Sequence, residues 1–255
     1  DERPTHRFYW VCPSCGTWFP RYRPILLRDA QTIGNTLPEI SCFYFDRVSS
    51  AALYLAEKAR DRDALVVFEP TTIKEGVAFE RAISICDILK YSNEHTKKFT
   101  KSAYESTARV VIETLGSDGL RYRLRRDGSY GKWKLLSAFH VKNIKDSAGA
   151  GDWCTAGMID MLINKGRISK KCFSEKSLVE ALRYGQALSA LNCTFEGARG
   201  AMYSLNKKQF YKEVKAILDH KEAKISIING VPKKAQKKIK CVCPVCQKIK
   251  KSSKK

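Results

Sequence analysis

Apolar positions along this chain alternate between two spacings. Short apolar runs read as strands, and segments with apolar residues three and four apart read as helices. Ser41-Cys42-Phe43-Tyr44-Phe45-Asp46 predicts a strand, and Ser49 to Arg60 an Ala/Leu-rich helix opened by a serine cap. Leu65–Phe68 has no polar position, the pattern of a strand buried on both faces. Val77–Cys86 reads as a helix and Ile88–Tyr91 as a strand. Val110–Leu115, Leu120–Arg125 and Lys132–Phe139 read as further strands. A helix over 152–164 stops at Asn164-Lys165-Gly166, and helices near 177–193 and 207–220 close the pattern. Strands alternating with helices across short connections predict an α/β fold, a largely parallel sheet flanked by helices.

Asp146-Ser147-Ala148-Gly149-Ala150-Gly151-Asp152 is the segment with the most chemistry. A small-residue turn runs into an apolar helix that carries a carboxylate on its first turn. Unpaired N–H groups at a helix start can hold a phosphate, and the helix dipole favours its negative charge. Asp152 would then stand where a general base must be for a hydroxyl to attack that phosphate. The same turn can be plain architecture, with glycines for tight packing and Asp as a helix cap.

Composition narrows the setting. The chain has 255 residues, enough for one good core with appendages. No apolar run approaches the ~18 residues of a membrane span, and no signal peptide is visible. The ten cysteines lie among Lys-rich segments without a secretory leader, which favours reduced thiols, metal ligation and a cytoplasmic location. Net charge is +21, but residues 233–255 supply ten lysines and no acid, leaving +11 for the rest. Such a tail is either a solvated extension or a contact for nucleic acid or an acidic partner.

Two Cys-Pro-x-Cys turns stand at opposite ends of the chain, Cys12-Pro13-Ser14-Cys15 and Cys243-Pro244-Val245-Cys246. Each aims two thiolates at one tetrahedral metal, so Cys12, Cys15, Cys243 and Cys246 make a candidate structural zinc site, with Cys241 as a substitute ligand. Independent cysteine turns or a redox pair are the alternatives. Cys42, Cys86, Cys154, Cys172 and Cys193 sit in apolar stretches and read as core residues. Three segments follow: a Cys/aromatic knuckle over 1–24, an α/β core over 25–220, and a basic tail with the second knuckle over 221–255.

The segment 146–152 resembles the C-terminal signature of the PfkB/ribokinase family of sugar and nucleoside kinases. Other segments match that family in the expected order. Leu65-Val66-Val67-Phe68-Glu69-Pro70 resembles its strand ending in an acid and Pro. Cys86-Asp87-Ile88-Leu89-Lys90-Tyr91-Ser92-Asn93-Glu94 is similar to its Asn-x-x-Glu segment. Val111-Ile112-Glu113-Thr114-Leu115-Gly116-Ser117-Asp118-Gly119 resembles its nucleotide strand and loop, and Gly197-Ala198-Arg199-Gly200-Ala201 a segment near its C-terminus. The likeness covers roughly residues 38–207.

The resemblance implies a ribokinase-like fold and transfer of the γ-phosphate of ATP to a sugar or nucleoside hydroxyl, with magnesium. It makes Asp152 the base and Ala148, Gly149, Ala150 and Gly151 the anion hole. It assigns Thr114, Gly116, Gly119 and Asn192 to the nucleotide, Asn93 and Glu94 to magnesium and phosphate, and Asp146 and Ser147 to a monovalent cation such as K+. Where the family has its second acid this chain has Thr96, so metal handling departs from the pattern. The family's N-terminal part, which grips the sugar, has no counterpart here. Either the chain is a fragment, or another polypeptide supplies the missing N-terminal part of the fold, or the site is repurposed. Because a parallel sheet without those strands exposes an apolar edge, a tightly bound partner chain is the expectation. The alternative is a catalytically inactive kinase-like scaffold that binds nucleotide, nucleic acid or a protein.

Overall fold

The apolar runs become strands β1 (Cys42–Phe45), β2 (Leu65–Phe68), β3 (Ile88–Ser92) and β4 (Val110–Thr114), paired in parallel in that order. After β4 a single 3₁₀ turn over Gly116–Asp118 returns the chain as β5 (Leu120–Arg126), antiparallel to β4. A connection this short cannot carry a parallel crossover, so the reversal follows from its length. Strands β6 (Ser129–Tyr130) and β7 (Lys134–Leu136) both pair antiparallel with β5. The sheet is mostly parallel and mixed at this end, as the sequence pattern predicts. The single strand expected over Lys132–Phe139 is a correction. Only Lys134–Leu136 pairs, and Ser129–Tyr130 pairs separately beyond the turn at Asp127 and Gly128.

The computed structural model describes residues 11–12, 14–19, 22–71, 76–93, 107–164 and 174–219. They fall into two compact units, one of residues 24–140 and 151–190, the other of the described parts of 1–23, 141–150 and 191–255.

The helices are α1 (Leu27–Asn35), α2 (Ser50–Asp61), α3 (Val77–Ile85), α4 (Ala150–Asn164), α5 (Glu175–Asn192), α6 (Gly200–Ser204) and α7 (Lys207–Leu218). Ser49 caps α2 by accepting the Ala52 N–H at 3.1 Å. Asn206 and Gln209 form a reciprocal capping box at the start of α7. Helix α1 escapes the sequence pattern for a physical reason. It buries only Ala30 and Gly34, leaves Leu27 and Ile33 exposed, and has no side-chain cap.

Strand β2 explains how the first unit packs. All four of its residues are buried, and successive side chains go to opposite faces. Val66 and Phe68 join one apolar cluster with Phe45, Leu53, Phe79 and Val111. Leu65 and Val67 join another with Ile112, Met158, Leu178 and Leu182. Helices α2 and α3 cover the first face, and α4 and α5 the second. Each fully buried Leu, Val or Phe contributes about 1.5–3 kcal/mol of transfer free energy. This two-sided burial fixes where the strands end, and their C-terminal ends carry the polar residues described next.

Candidate active site

Ionisable groups stand on or just past three of the parallel strands. Asp46 follows β1, Glu69 follows β2, and Lys90 lies within β3. In α/β sheets the carboxyl ends of the strands are where ligands sit. Helix α4 brings Asp152 on its first turn to the same region of this unit.

Lys90 is almost wholly buried, at 1% exposure, and forms an ion pair with Glu69. The other Glu69 carboxylate oxygen accepts the Thr155 hydroxyl at 2.6 Å. Thr155 Oγ1 also lies 3.1 Å from the Gly151 carbonyl, and Lys90 Nζ approaches that carbonyl at 3.5 Å. One threonine proton cannot serve both acceptors fully, and the shorter, charge-assisted bond to Glu69 is the stronger. Glu69 is itself fixed by its own N–H, which donates to the Phe45 carbonyl at 3.0 Å.

Asp152 is exposed as a residue, so a hydroxyl can reach it. Its carboxyl is nevertheless held above the usual carboxylate range. Partial loss of water is the main cause, followed by the negative charge of Glu69; Lys90 pulls the other way, and Asp46 adds to the rise. A carboxylate with a raised proton affinity is what general-base work requires. The Tyr44 hydroxyl is pushed up by burial and by Glu69, Asp46 and Asp152, so it stays protonated as a donor.

The second unit contains the turn before α4. Asp146 accepts the Ala148 N–H at 2.9 Å with one oxygen and the Gly197 N–H at 2.9 Å with the other. Its carboxylate thus ties two loops together. The Ser147 carbonyl accepts the Ala150 N–H at 3.1 Å. Gly149 has φ +74°, and an added Cβ would lie 2.9 Å from both Cβ and the carbonyl oxygen of Ala198. Both the backbone angle and the close approach demand glycine.

Asn192, assigned to the nucleotide by the resemblance, is completely buried. Its amide donates to the carbonyls of Ala148 at 3.3 Å and Gly197 at 3.4 Å, and its Oδ1 accepts the Ala201 N–H at 3.2 Å. The side chain therefore organises the 146–149 and 197–201 loops from behind.

The Thr114 hydroxyl lies 3.5 Å from the Tyr91 carbonyl, and Gly116 is exposed at φ +61°. Gly119 is required by packing, since an added Cβ would meet the Ala138 amide nitrogen at 2.6 Å. Asn93 is exposed just beyond β3, and Glu94 and Thr96 lie outside the described residues.

At the N-terminal knuckle, Cys12 donates its N–H to Thr17 at 2.8 Å and accepts that of Gly16 at 2.9 Å. Val11 bridges Trp18 across this hairpin. Cys15 Sγ is 3.3 Å from Thr17 Oγ1. Among the described residues no group of three or more His, Cys, Asp or Glu is gathered for a metal. Cys243, Cys246, Cys241, Cys172 and the lysine tail lie outside them. Among the described residues, too, no helix is long and apolar enough to cross a membrane.

Sequence reading missed Lys90, Glu69 and Thr155 as a connected group. The available signal was a lysine inside the otherwise apolar run Ile88-Leu89-Lys90-Tyr91. A charge in a buried strand needs a partner.

A mostly parallel sheet, acids at its strand ends and a glycine turn opening a helix define a ribokinase-like α/β protein. The chain belongs to the pfkB family of carbohydrate kinases, whose model matches residues 48–204. Among solved structures it is similar to a ribokinase from Giardia lamblia, with a TM-score of 0.60 and 15% identity over 72% of this chain and 62% of that one. A nucleoside kinase from Burkholderia thailandensis, in complex with inosine, gives 0.57 and 14% over 75% and 62%. A fructokinase from Vibrio cholerae O395, in a fructose-, ADP- and calcium-bound form, gives 0.54 and 19% over 70% and 63%. The chain thus spans less than two thirds of the length of these structures. No curated protein sequence matches it.

Proposed function

We propose that this chain carries the phosphoryl-transfer part of an ATP-dependent kinase acting on a hydroxyl of a sugar or nucleoside. The observation that carries the proposal is Asp152. It is an exposed carboxylate with raised proton affinity, on the first turn of a helix opened by a glycine turn, in a pfkB-family chain.

The residues present fit a nucleotide phosphate through the N–H groups of Gly149 and Gly151 at the start of α4. Of the four expected anion-hole residues, Ala148 and Ala150 already donate their N–H groups to Asp146 and to the Ser147 carbonyl. ATP, when bound with magnesium, supplies the phosphoryl group. Asp152 Oδ accepts the proton of the acceptor hydroxyl. The amides at the start of α4 donate to the developing negative charge, and the helix dipole adds to that stabilisation. Asp146 and Asn192 hold the turn in shape, and a monovalent cation at Asp146 and Ser147 belongs to the same proposal.

Selection of the acceptor belongs, in this proposal, to the part of the fold not contained in residues 38–207, whether it precedes them in the same protein or comes with a second polypeptide. The hairpin of Cys12 and Cys15 supports a structural zinc completed by Cys243 and Cys246.

The test is ATP consumption across a sugar and nucleoside panel, with the chain co-expressed beside its complementing polypeptide. Asp152→Asn is expected to lower kcat by ~10²–10⁴ while ATP binding persists. Unchanged turnover would sink the assignment. ATP binding with no turnover on any acceptor would favour the scaffold reading instead.

A further inference from the structure

Lys90 is a group that phosphoryl transfer at Asp152 does not use directly. An ammonium at 1% exposure is costly unless paired and hydrogen-bonded. Its partner, Glu69, spends one oxygen on Lys90 and the other on Thr155, three residues past Asp152 on the same helix. Lys90 also approaches the carbonyl of Gly151, the residue before Asp152. The network therefore reaches α4 on both sides of Asp152, from two neighbouring parallel strands.

We infer that Lys90, Glu69 and Thr155 are positioning residues that fix the first turn of α4 and set the electrostatic environment of the Asp152 carboxylate. The inference rests on the reading of Asp152 as the base.

Two features distinguish this from ordinary packing. Apolar residues of similar volume at both Lys90 and Glu69 would fill the space without the cost of burying charge, and such replacements of whole buried ion pairs are often neutral or stabilising. The pair is also oriented: the opposite charges act on Asp152 in opposite senses, Glu69 raising its proton affinity and Lys90 lowering it. Asp46 and the Tyr44 hydroxyl, both from the β1 end, are the other groups facing this carboxylate. Thr155 carries no charge and acts only by tethering the helix. Its near-isosteric valine variant separates position from charge.

The experiment reads the Asp152 carboxyl directly, by carbon-13 NMR titration of the full chain with Asp152→Asn for assignment. In Lys90→Met the midpoint is expected to move up by about one pH unit, the low end for removing a close opposite charge. In Glu69→Gln it is expected to move down. A site that is merely loosened takes on water in both variants, and both midpoints would fall. Shifts in the same direction, or none, overturn the inference.

Lys90→Gln replaces Lys90→Met if the latter does not fold. If neither folds, Thr155→Val decides, read in the complemented enzyme. The expectation is a roughly tenfold fall in kcat, within the range of misplaced catalytic groups, with KM for ATP unchanged and recovery in Thr155→Ser. An unaltered kcat in Thr155→Val overturns the inference. Opposite NMR shifts without turnover on any acceptor would leave the network standing and remove the kinase reading.

Discussion

Gly157 of α4 and Gly185 of α5 meet where the two helices pass closest. A Cβ added at Gly157 would lie 2.8 Å from the Gly185 Cα and 2.7 Å from Leu188 Cδ1. One added at Gly185 would meet Met158 N at 3.2 Å and come closer still to the Cys154 carbonyl. Mid-helix glycine costs about 0.8–1 kcal/mol relative to alanine, so the close approach must return more than that.

Gly185→Ala is therefore expected to destabilise by about 1–3 kcal/mol, the usual range for overpacking a core. The clash is with backbone, which cannot rotate away. Gly157→Ala should cost less, because part of its clash is with a leucine side chain. Urea unfolding monitored by circular dichroism checks both. A Gly185→Ala protein as stable as the wild type would contradict the described α4–α5 contact.

The described core thiols should be chemically inert. Burial, reinforced by Asp87, pushes the Cys42 thiol up to about 12. Burial also raises Cys86, Cys154 and Cys193, with Asp87 and Asp146 adding to Cys86 and Cys193 respectively. Since the thiolate is the nucleophile, iodoacetamide at pH 8 is expected to spare these four in the native protein. Mass spectrometry of the alkylated chain reads the result, and rapid labelling of Cys86 or Cys154 would refute it.

Much of this architecture was legible because burial on both sheet faces leaves a plain record. Leu65–Phe68 had no polar position to confuse it, and Ser49 announced the helix that follows. Helix α1 left a weaker record, because the positions it buries are the small Ala30 and Gly34 while its large apolar residues, Leu27 and Ile33, are exposed. The site divided along a similar line. Gly149 is readable because its backbone angle demands glycine, and Asp152 because a carboxylate on the first turn of a helix is visible in the local sequence. The Lys90–Glu69–Thr155 network joins three segments far apart in the chain, and no spacing rule connects them. Asn192 was assigned through resemblance to ligand contact, whereas its buried position and three loop contacts depend on tertiary structure.

Asn192→Ala should accordingly act through the loops it ties. Removing the amide leaves the Ala148 and Gly197 carbonyls and the Ala201 N–H without that partner inside a buried site. The cost of orphaned buried groups is about 1–3 kcal/mol. Asn192→Asp should also destabilise, because a carboxylate cannot donate to two carbonyls. Thermal unfolding of both variants checks this, and wild-type stability in Asn192→Asp would be incompatible with the hydrogen bonds described.

Asp152 also ties function to stability, with a sign that can be worked out. Its folded-state proton affinity is raised, so between the ordinary carboxyl value and the raised one the native protein binds more protons than the unfolded chain. By linkage, its contribution to stability is intact below the ordinary value of 3.8 and falls as pH rises through that window. Asp152→Asn removes the titrating group. The variant's melting temperature, compared with wild type, is thus expected to be relatively higher at pH 7 than at pH 3.5. Taking the difference between two pH values cancels any constant effect of the substitution on helix capping. A difference that shrinks towards neutral pH would mean that the α4 dipole, which favours the charged form, outweighs desolvation and Glu69. Asp152 would then be an ordinary helix-start carboxylate without the raised proton affinity on which its role as a base depends.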